Sequence, residues 1–320
     1  MRLLPLLTLA LIQSLELVRA ADPRPVCRNY HTDFSKSMGE WFEVDNFKHT
    51  SEVTKDGLMI KLIPPKTIQT LRQAGSGLPY NKYEGQGATF NATSLMHYGR
   101  ISAKIKAASA GGAVTAFILI ADNGDEIDFE FVGADPRHVQ TNYFWGKNIV
   151  YGVNGGNHPV DGSAYDEFHT YTMDWSPDRI VWSVDDRVVR TKTRAQTYRN
   201  GVYQYPSAPA RAQIGLWDGS TAPGTAQWCN GPIDWHKNKN IAAYIKEIEV
   251  TCNPQYNKVE ELKDKPTKPT KPTKPTGKGK GKGNDKNKKN NNKNKNKNKN
   301  KKKPNKKTPK KPSKPKSKKH

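Results

Sequence analysis

Glu126, Asp128 and Glu130 alternate with Ile127, Phe129 and Phe131. On a strand, successive side chains point to opposite faces. This spacing therefore sets three carboxylates on one face and three apolar side chains on the other. Stacked acids repel, and stability alone gives no reason to keep them. Chemistry does. Splitting a glycosidic bond takes two carboxyl groups, one ionised to attack the anomeric carbon and one protonated to release the leaving oxygen. Glu126 and Glu130 fit those roles, with Asp128 between them to hydrogen-bond the nucleophile and couple the titrations. Two other readings stay open on the residues alone: a solvated acidic strand face, and a calcium site made of carboxylates.

The catalytic reading makes a demand on architecture. Residues i and i+4 of a strand stand about 13 Å apart at Cα, at ~3.3 Å per residue. A retaining mechanism needs the two carboxyl groups about 5–5.5 Å apart. Side chains on one face converge that far only on the concave side of a curved sheet. The motif thus predicts a curved sandwich with a groove across it.

The surrounding sequence supplies strands. Leu58–Ile63 ends at Pro64-Pro65, Arg100–Lys106 alternates up to Gly111-Gly112, and Ala113–Ala121 is a long apolar run of the kind buried on both faces. Arg179–Val184 and Val188–Thr191 flank Asp185-Asp186-Arg187, a hairpin signature. Ile241–Val250 is the last strand expected. No segment holds a 3.6-residue period over three turns. About a dozen short strands, estimated from this pattern, indicate an all-β sandwich of two antiparallel sheets with a concave cleft.

Charge divides the chain. Residues 258–320 carry 27 Lys, no Arg and four acids, which accounts for the whole net charge of +23. The other 26 basic and 26 acidic residues balance, so the high isoelectric point says nothing about nucleic-acid binding by the body. The 258–320 segment, with its Lys-Pro-Thr, Gly-Lys and Asn-Lys repeats, cannot bury enough apolar surface to fold and is expected to be disordered. Its lysines suit anionic polymers, through summed, salt-sensitive attraction, or a solubilising spacer. At the other end, Arg2, the apolar run Leu3–Leu15 and Val18-Arg19-Ala20 read as a signal peptide cut after Ala20. The expected organisation is a leader over 1–20, a catalytic domain over 21–257 and a basic tail over 258–320. Secretion, no membrane anchor and no nucleic-acid partner follow as expectations. So does a disulfide among Cys27, Cys229 and Cys252. Cys27–Cys252 is favoured because first and last strands of a sandwich often lie together; Cys229–Cys252 is the alternative. Asn91-Ala92-Thr93 is a glycosylation sequon.

The acidic motif resembles the ExDxE signature of glycoside hydrolase family 16. Further strings resemble its fungal cell-wall branch, the Crh-type chitin–glucan transglycosylases. They are Gln140-Thr141-Asn142-Tyr143-Phe144, Phe168–Trp175, Gly215–Gly219 and Pro223–Trp228. The resemblance spans residues 27–252. It implies a β-jelly roll, a retaining double displacement and β-linked wall polysaccharide (chitin, β-glucan) as partner, with no cofactor, no metal ion and a monomeric state. Glu126 would be the nucleophile, Glu130 the acid/base and Asp128 the assisting acid. No residue is inserted between Asp128 and Glu130, which resembles the regular-strand subgroup. Binding positions implied are Glu130, Gln213, Trp217 and Thr225. Gln140, Asn142 and Trp228 join them as candidate cleft residues, since tryptophan faces stack on sugar rings. Trp175 and Trp182 are assigned to the core, and His169 to a structural hydrogen bond. The rival functional readings are a plain β-glucanase or chitinase-type hydrolase, a jelly-roll lectin without turnover, and a structural wall protein with a decaying catalytic fold.

Overall fold

The computed structural model describes residues 23–45, 47–147 and 149–262. The expected leader and most of the lysine-rich segment lie outside them. Twenty strands are present among the described residues. The first half of the body holds β1 Val26–Asp33, β2 Trp41–Glu43, β3 Ser51–Thr54, β4 Gly57–Leu62, β5 Thr70–Arg72, β6 Pro79–Asn81, β7 Ala88–Met96, β8 Gly99–Lys106, β9 Ala113–Ile120 and β10 Glu126–Val132. The second holds β11 His138–Phe144, β12 Gly156–Pro159, β13 His169–Trp175, β14 Arg179–Val184, β15 Arg187–Thr193, β16 Tyr198–Arg199, β17 Val202–Tyr203, β18 Ala210–Asp218, β19 Ile241–Cys252 and β20 Lys258–Glu261.

Two sheets form the sandwich. The rear sheet runs β15-β14-β13-β8-β19-β1-β20, with β4 also paired to β19 and β3 to β4. The front sheet runs β12-β11-β10-β9-β18-β7-β2 and contains the acidic strand. Between them lie Phe117, Phe129, Phe131, Tyr171, Trp175 and Trp182, all fully buried. Both tryptophans are core residues, as expected. Their indole N–H groups find carbonyl acceptors at Pro206 and Asp128, which is what a buried indole requires.

Local sequence explains the main turns. Asp185 and Asp186 sit at φ 47° and 61°, the left-handed pair that a two-residue hairpin needs and that Asp tolerates better than most residues. The Cys27–Cys252 disulfide is formed and Cys229 is free and buried. Its basis is register: β1 and β19 pair antiparallel from Tyr30–Val250 to Asp33–Glu247.

Three features depart from expectation. The sheets are not purely antiparallel, because β1 pairs parallel with β20. That strand, Lys258–Glu261, lies beyond residue 257, so the folded body runs past the expected boundary and takes the first residues of the lysine-rich segment with it. Among the described residues there is also one short α-helix, α1, over Pro223–Trp228, and a 3-10 turn over Ala195–Thr197. No helix among the described residues is long and apolar enough to cross a membrane.

Candidate active site

β10 is central in the front sheet, flanked by β9 and β11. Its odd residues enter the core: Ile127, Phe129 and Phe131 are buried. Glu126, Asp128 and Glu130 therefore share the outward face. Glu126 and Glu130 are partly exposed, whereas Asp128 is 1% exposed. A residue can be that buried on an outward face only where its neighbours rise around it, so the face is deepest at Asp128.

Cross-strand register names the neighbours. Glu126 lies between Phe144 and Ile120, Asp128 between Asn142 and Ile118, and Glu130 between Gln140 and Ala116. One strand further, β18 places Arg211, Gln213 and Gly215 in the same rows, and Trp217 in the next one, opposite Val114. Gln140, Asn142, Gln213 and Trp217 thus share one face with the three acids, and the structure brings them together.

Both ends of the trough are walled along the strand direction. At the Val132 end, α1 folds over the sheet. Trp228 stacks on Trp217, with ring centroids 6.1 Å apart and planes 21° from parallel, and its Nε1 donates to Gln140 Oε1 at 2.8 Å. Cys229 packs beneath them with Val114 and Val132. A Cβ on Gly219 would come within 2.6 Å of its sulfur, so glycine is needed there. Thr225 lies one helical turn before Trp228, on the same side of α1. At the Glu126 end, Asp125 is 2% exposed. It accepts the backbone N–H of Gly146 at 2.8 Å, Ser207 at 2.8 Å and Ala208 at 3.0 Å. One carboxylate so ties two loops to the head of the acidic strand. Sequence reasoning passed Asp125 over, because an Asp before a strand reads as a turn residue.

The electrostatics separate the three acids. Burial is the main cause in each case. It raises Glu126, and it raises Glu130 to about 7, with the charge of Glu126 adding to the rise. Asp128 is pushed well above the usual carboxylate range by burial, then by Glu130 and Glu126. Neither carboxylate oxygen of Asp128 has a hydrogen-bond partner in the protein. Near neutral pH this set holds a proton on Glu130 for part of the time while Glu126 is the more readily ionised, the division that acid-assisted displacement requires.

The remaining expected residues are placed as follows. Asn91 lies on the open face, and its Oδ1 accepts from Gln213 Nε2 at 2.8 Å. A glycan on the Asn91 amide nitrogen would rise beside Gln213, in the space expected for substrate. His169 is buried, with its Nδ1 2.6 Å from Asp185, and its structural assignment fits that bond. Among the described residues no three His, Cys, Asp or Glu side chains are grouped so as to hold a metal ion.

Residues 40–238 match the family model of glycosyl hydrolases family 16. Crh-like protein 2 of Aspergillus fumigatus is 37% identical over 257 residues, covering 72% of this chain and 52% of that protein. Congo red hypersensitive protein 2 of Saccharomyces cerevisiae is 37% identical over 176 residues, covering 52% of this chain and 37% of that protein. The chain spans about half the length, or less, of these curated relatives. Among solved structures, the Crh5 transglycosylase in complex with NAG aligns with a TM-score of 0.57 at 29% identity, over 71% of this chain and 85% of that one. A Bacillus licheniformis beta-glucanase aligns at 0.56 and 20% identity over 71% of this chain and 99% of that one, a likeness of fold alone.

Proposed function

Because the chain belongs to glycosyl hydrolases family 16, we propose that it is a cell-wall glycosidase and transglycosylase that cleaves a β-linked polysaccharide and passes the glycosyl group to a sugar hydroxyl. The observation that carries this is the carboxylate set itself: Glu126 and Glu130 on one open face, with Glu130 held near pH 7 by burial and by Glu126. Glu126 attacks the anomeric carbon and forms a covalent glycosyl-enzyme. Glu130 gives its proton to the departing oxygen, then takes one from the acceptor hydroxyl. Asp128 lies between them, short of hydrogen-bond partners. It is placed to share a proton with Glu126 as charge leaves the nucleophile.

The Trp217–Trp228 pair supplies a flat apolar wall for sugar rings at the Glu130 end, with Gln140 fixed against it. Chitin as donor and glucan or chitin as acceptor is the finer reading, supported by the likeness to a transglycosylase bound to NAG. Export by residues 1–20 and retention at the wall by the basic segment complete the proposal, with the catalytic body extended to residue 262.

The test is incubation of the full chain with chitin oligosaccharides and a labelled glucan acceptor, followed by mass spectrometry. Products longer than the donor support transfer. Shortened products alone support a hydrolase. Binding without turnover, unchanged in Glu126→Gln, makes it a lectin and overturns the proposal.

A further inference from the structure

Arg190 is a half-buried cation from the rear sheet that makes its bonds to the front one. It stands on β15, opposite Trp182. Its guanidinium lies 4.7 Å from the centre of the Trp182 ring, and Trp182 donates its indole N–H to the backbone carbonyl of Asp128 at 3.1 Å. The fork reaches β11, where Nη1 donates to the Thr141 carbonyl at 3.0 Å and to Thr141 Oγ1 at 2.8 Å. Nη2 donates to the Asn154 carbonyl at 2.6 Å, in the β11–β12 connection. Thr141 is flanked on its strand by Gln140 and Asn142, which face the trough. No ion pair to Arg190, or to any of the three acids, is present among the described residues.

Such a group is unusual. A buried guanidinium is normally matched by a carboxylate. The groups that face Arg190 can be named from each packed element. Tyr143 on β11 is kept protonated by burial. His158 on β12 lies 2.8 Å from Thr141 Oγ1 and is pushed toward its neutral form by burial and by Arg190 itself. Lys192 on β15 and Arg199 on β16 are cations. The one carboxyl group among them is Asp128, on the far face of β10, whose ionised form Arg190 favours.

We propose that Arg190 is a positioning residue of the active site: from behind the sheet it locks β11 and the β11–β12 connection in place and presents one positive charge to the buried Asp128. This rests on the reading of Glu126, Asp128 and Glu130 as the catalytic acids. Glu130 and Glu126 both repel an ionised Asp128. Arg190 offsets part of that repulsion without standing in the trough, where it would meet substrate.

Two variants separate charge from shape. Arg190→Met removes both, and Arg190→Lys keeps the charge but loses the fork. The measurements are the pH profile of kcat/KM of the full chain on chitin oligosaccharides, and the carboxyl titration of Asp128 by carbon-13 NMR. In Arg190→Met the alkaline limb, set by the groups that must hold a proton, is expected to move up by about half to one pH unit, since an opposite charge favours ionisation, and the Asp128 titration moves with it. In Arg190→Lys both stay near the wild type while kcat falls. His158→Gln leaves the limb in place. A limb and a titration unmoved in Arg190→Met would overturn the proposal, as would a limb that moves equally in His158→Gln. If Arg190→Met does not fold, Arg190→Gln carries the same comparison. If the wild type turns over no glycoside, the NMR arm decides alone, and it is the proposed function that fails.

Discussion

Glu130 should cost the fold stability at the pH where it works. Its folded pKa lies near 7 against 4.5 in an unconstrained chain. Between those values the folded protein binds more protons than the unfolded one. Stability from this group is therefore fully present below pH 4.5 and is lost as pH rises toward 7. At about 1.4 kcal/mol per pH unit, the distance from 4.5 to about 7 corresponds to about 3 kcal/mol. Glu130→Gln removes the ionisation while keeping the shape. It also relieves Asp128, which Glu130 helps to push up. The variant should match the wild type near pH 4 and exceed it by about 3 kcal/mol at pH 8, with activity lost. Urea unfolding of both proteins at the two pH values reads this directly. Parallel pH dependences would refute the reasoning, because they would mean that Glu130 titrates alike in folded and unfolded chains.

Asp125→Ala releases three backbone N–H groups at the head of the catalytic strand. A loss of about 3–5 kcal/mol is expected by urea titration, since hydrogen bonds to a charged group contribute about 1.5–3 kcal/mol each and water recovers part; a loss under about 1 kcal/mol would contradict the clamp. Trp217→Ala dismantles the stacked wall with Trp228. It should raise KM for oligosaccharides about five- to tenfold, if one sugar–aromatic contact contributes on the order of 1–1.5 kcal/mol, while a small aryl glycoside bound only at the acids is spared. Reducing Cys27–Cys252 opens a loop with a sequence separation of 225. Chain entropy sets that cost at about 5 kcal/mol, and guanidinium midpoints with and without reductant measure it.

Much of the site was legible because its signal is local. The period-two alternation of Glu126, Asp128 and Glu130 fixes which side chains share a face, and no distant residue can alter that. Trp175 and Trp182 fell to the core because they sit in strong strand patterns. Twelve strands have six residues or more, long enough for a pattern to repeat; the other eight have four residues or fewer, too few for one. β20 is the clearest case. Lys258–Glu261 carries three charges in four residues, and it is a strand only because β1 offers it backbone partners. The helix α1 has six residues, under two turns, so no period could announce it. Register across strands is likewise invisible in a single sequence. Nothing local ties Gln213 to Ile118 and Asp128, or sets Arg190 behind β11. Those pairings come from the way the sandwich closes.

The central claim is that Glu126 carries the sugar. It is tested most directly by incubating the full chain with a 2-fluoro glycoside of a chitin-type or glucan-type oligosaccharide, which slows release of a covalent intermediate, and mapping the adduct by peptide mass spectrometry. The account predicts one glycosyl group on the peptide containing Glu126, absent in Glu126→Gln. An adduct on any other side chain, or turnover of the parent oligosaccharide by Glu126→Gln at the wild-type rate, would contradict it.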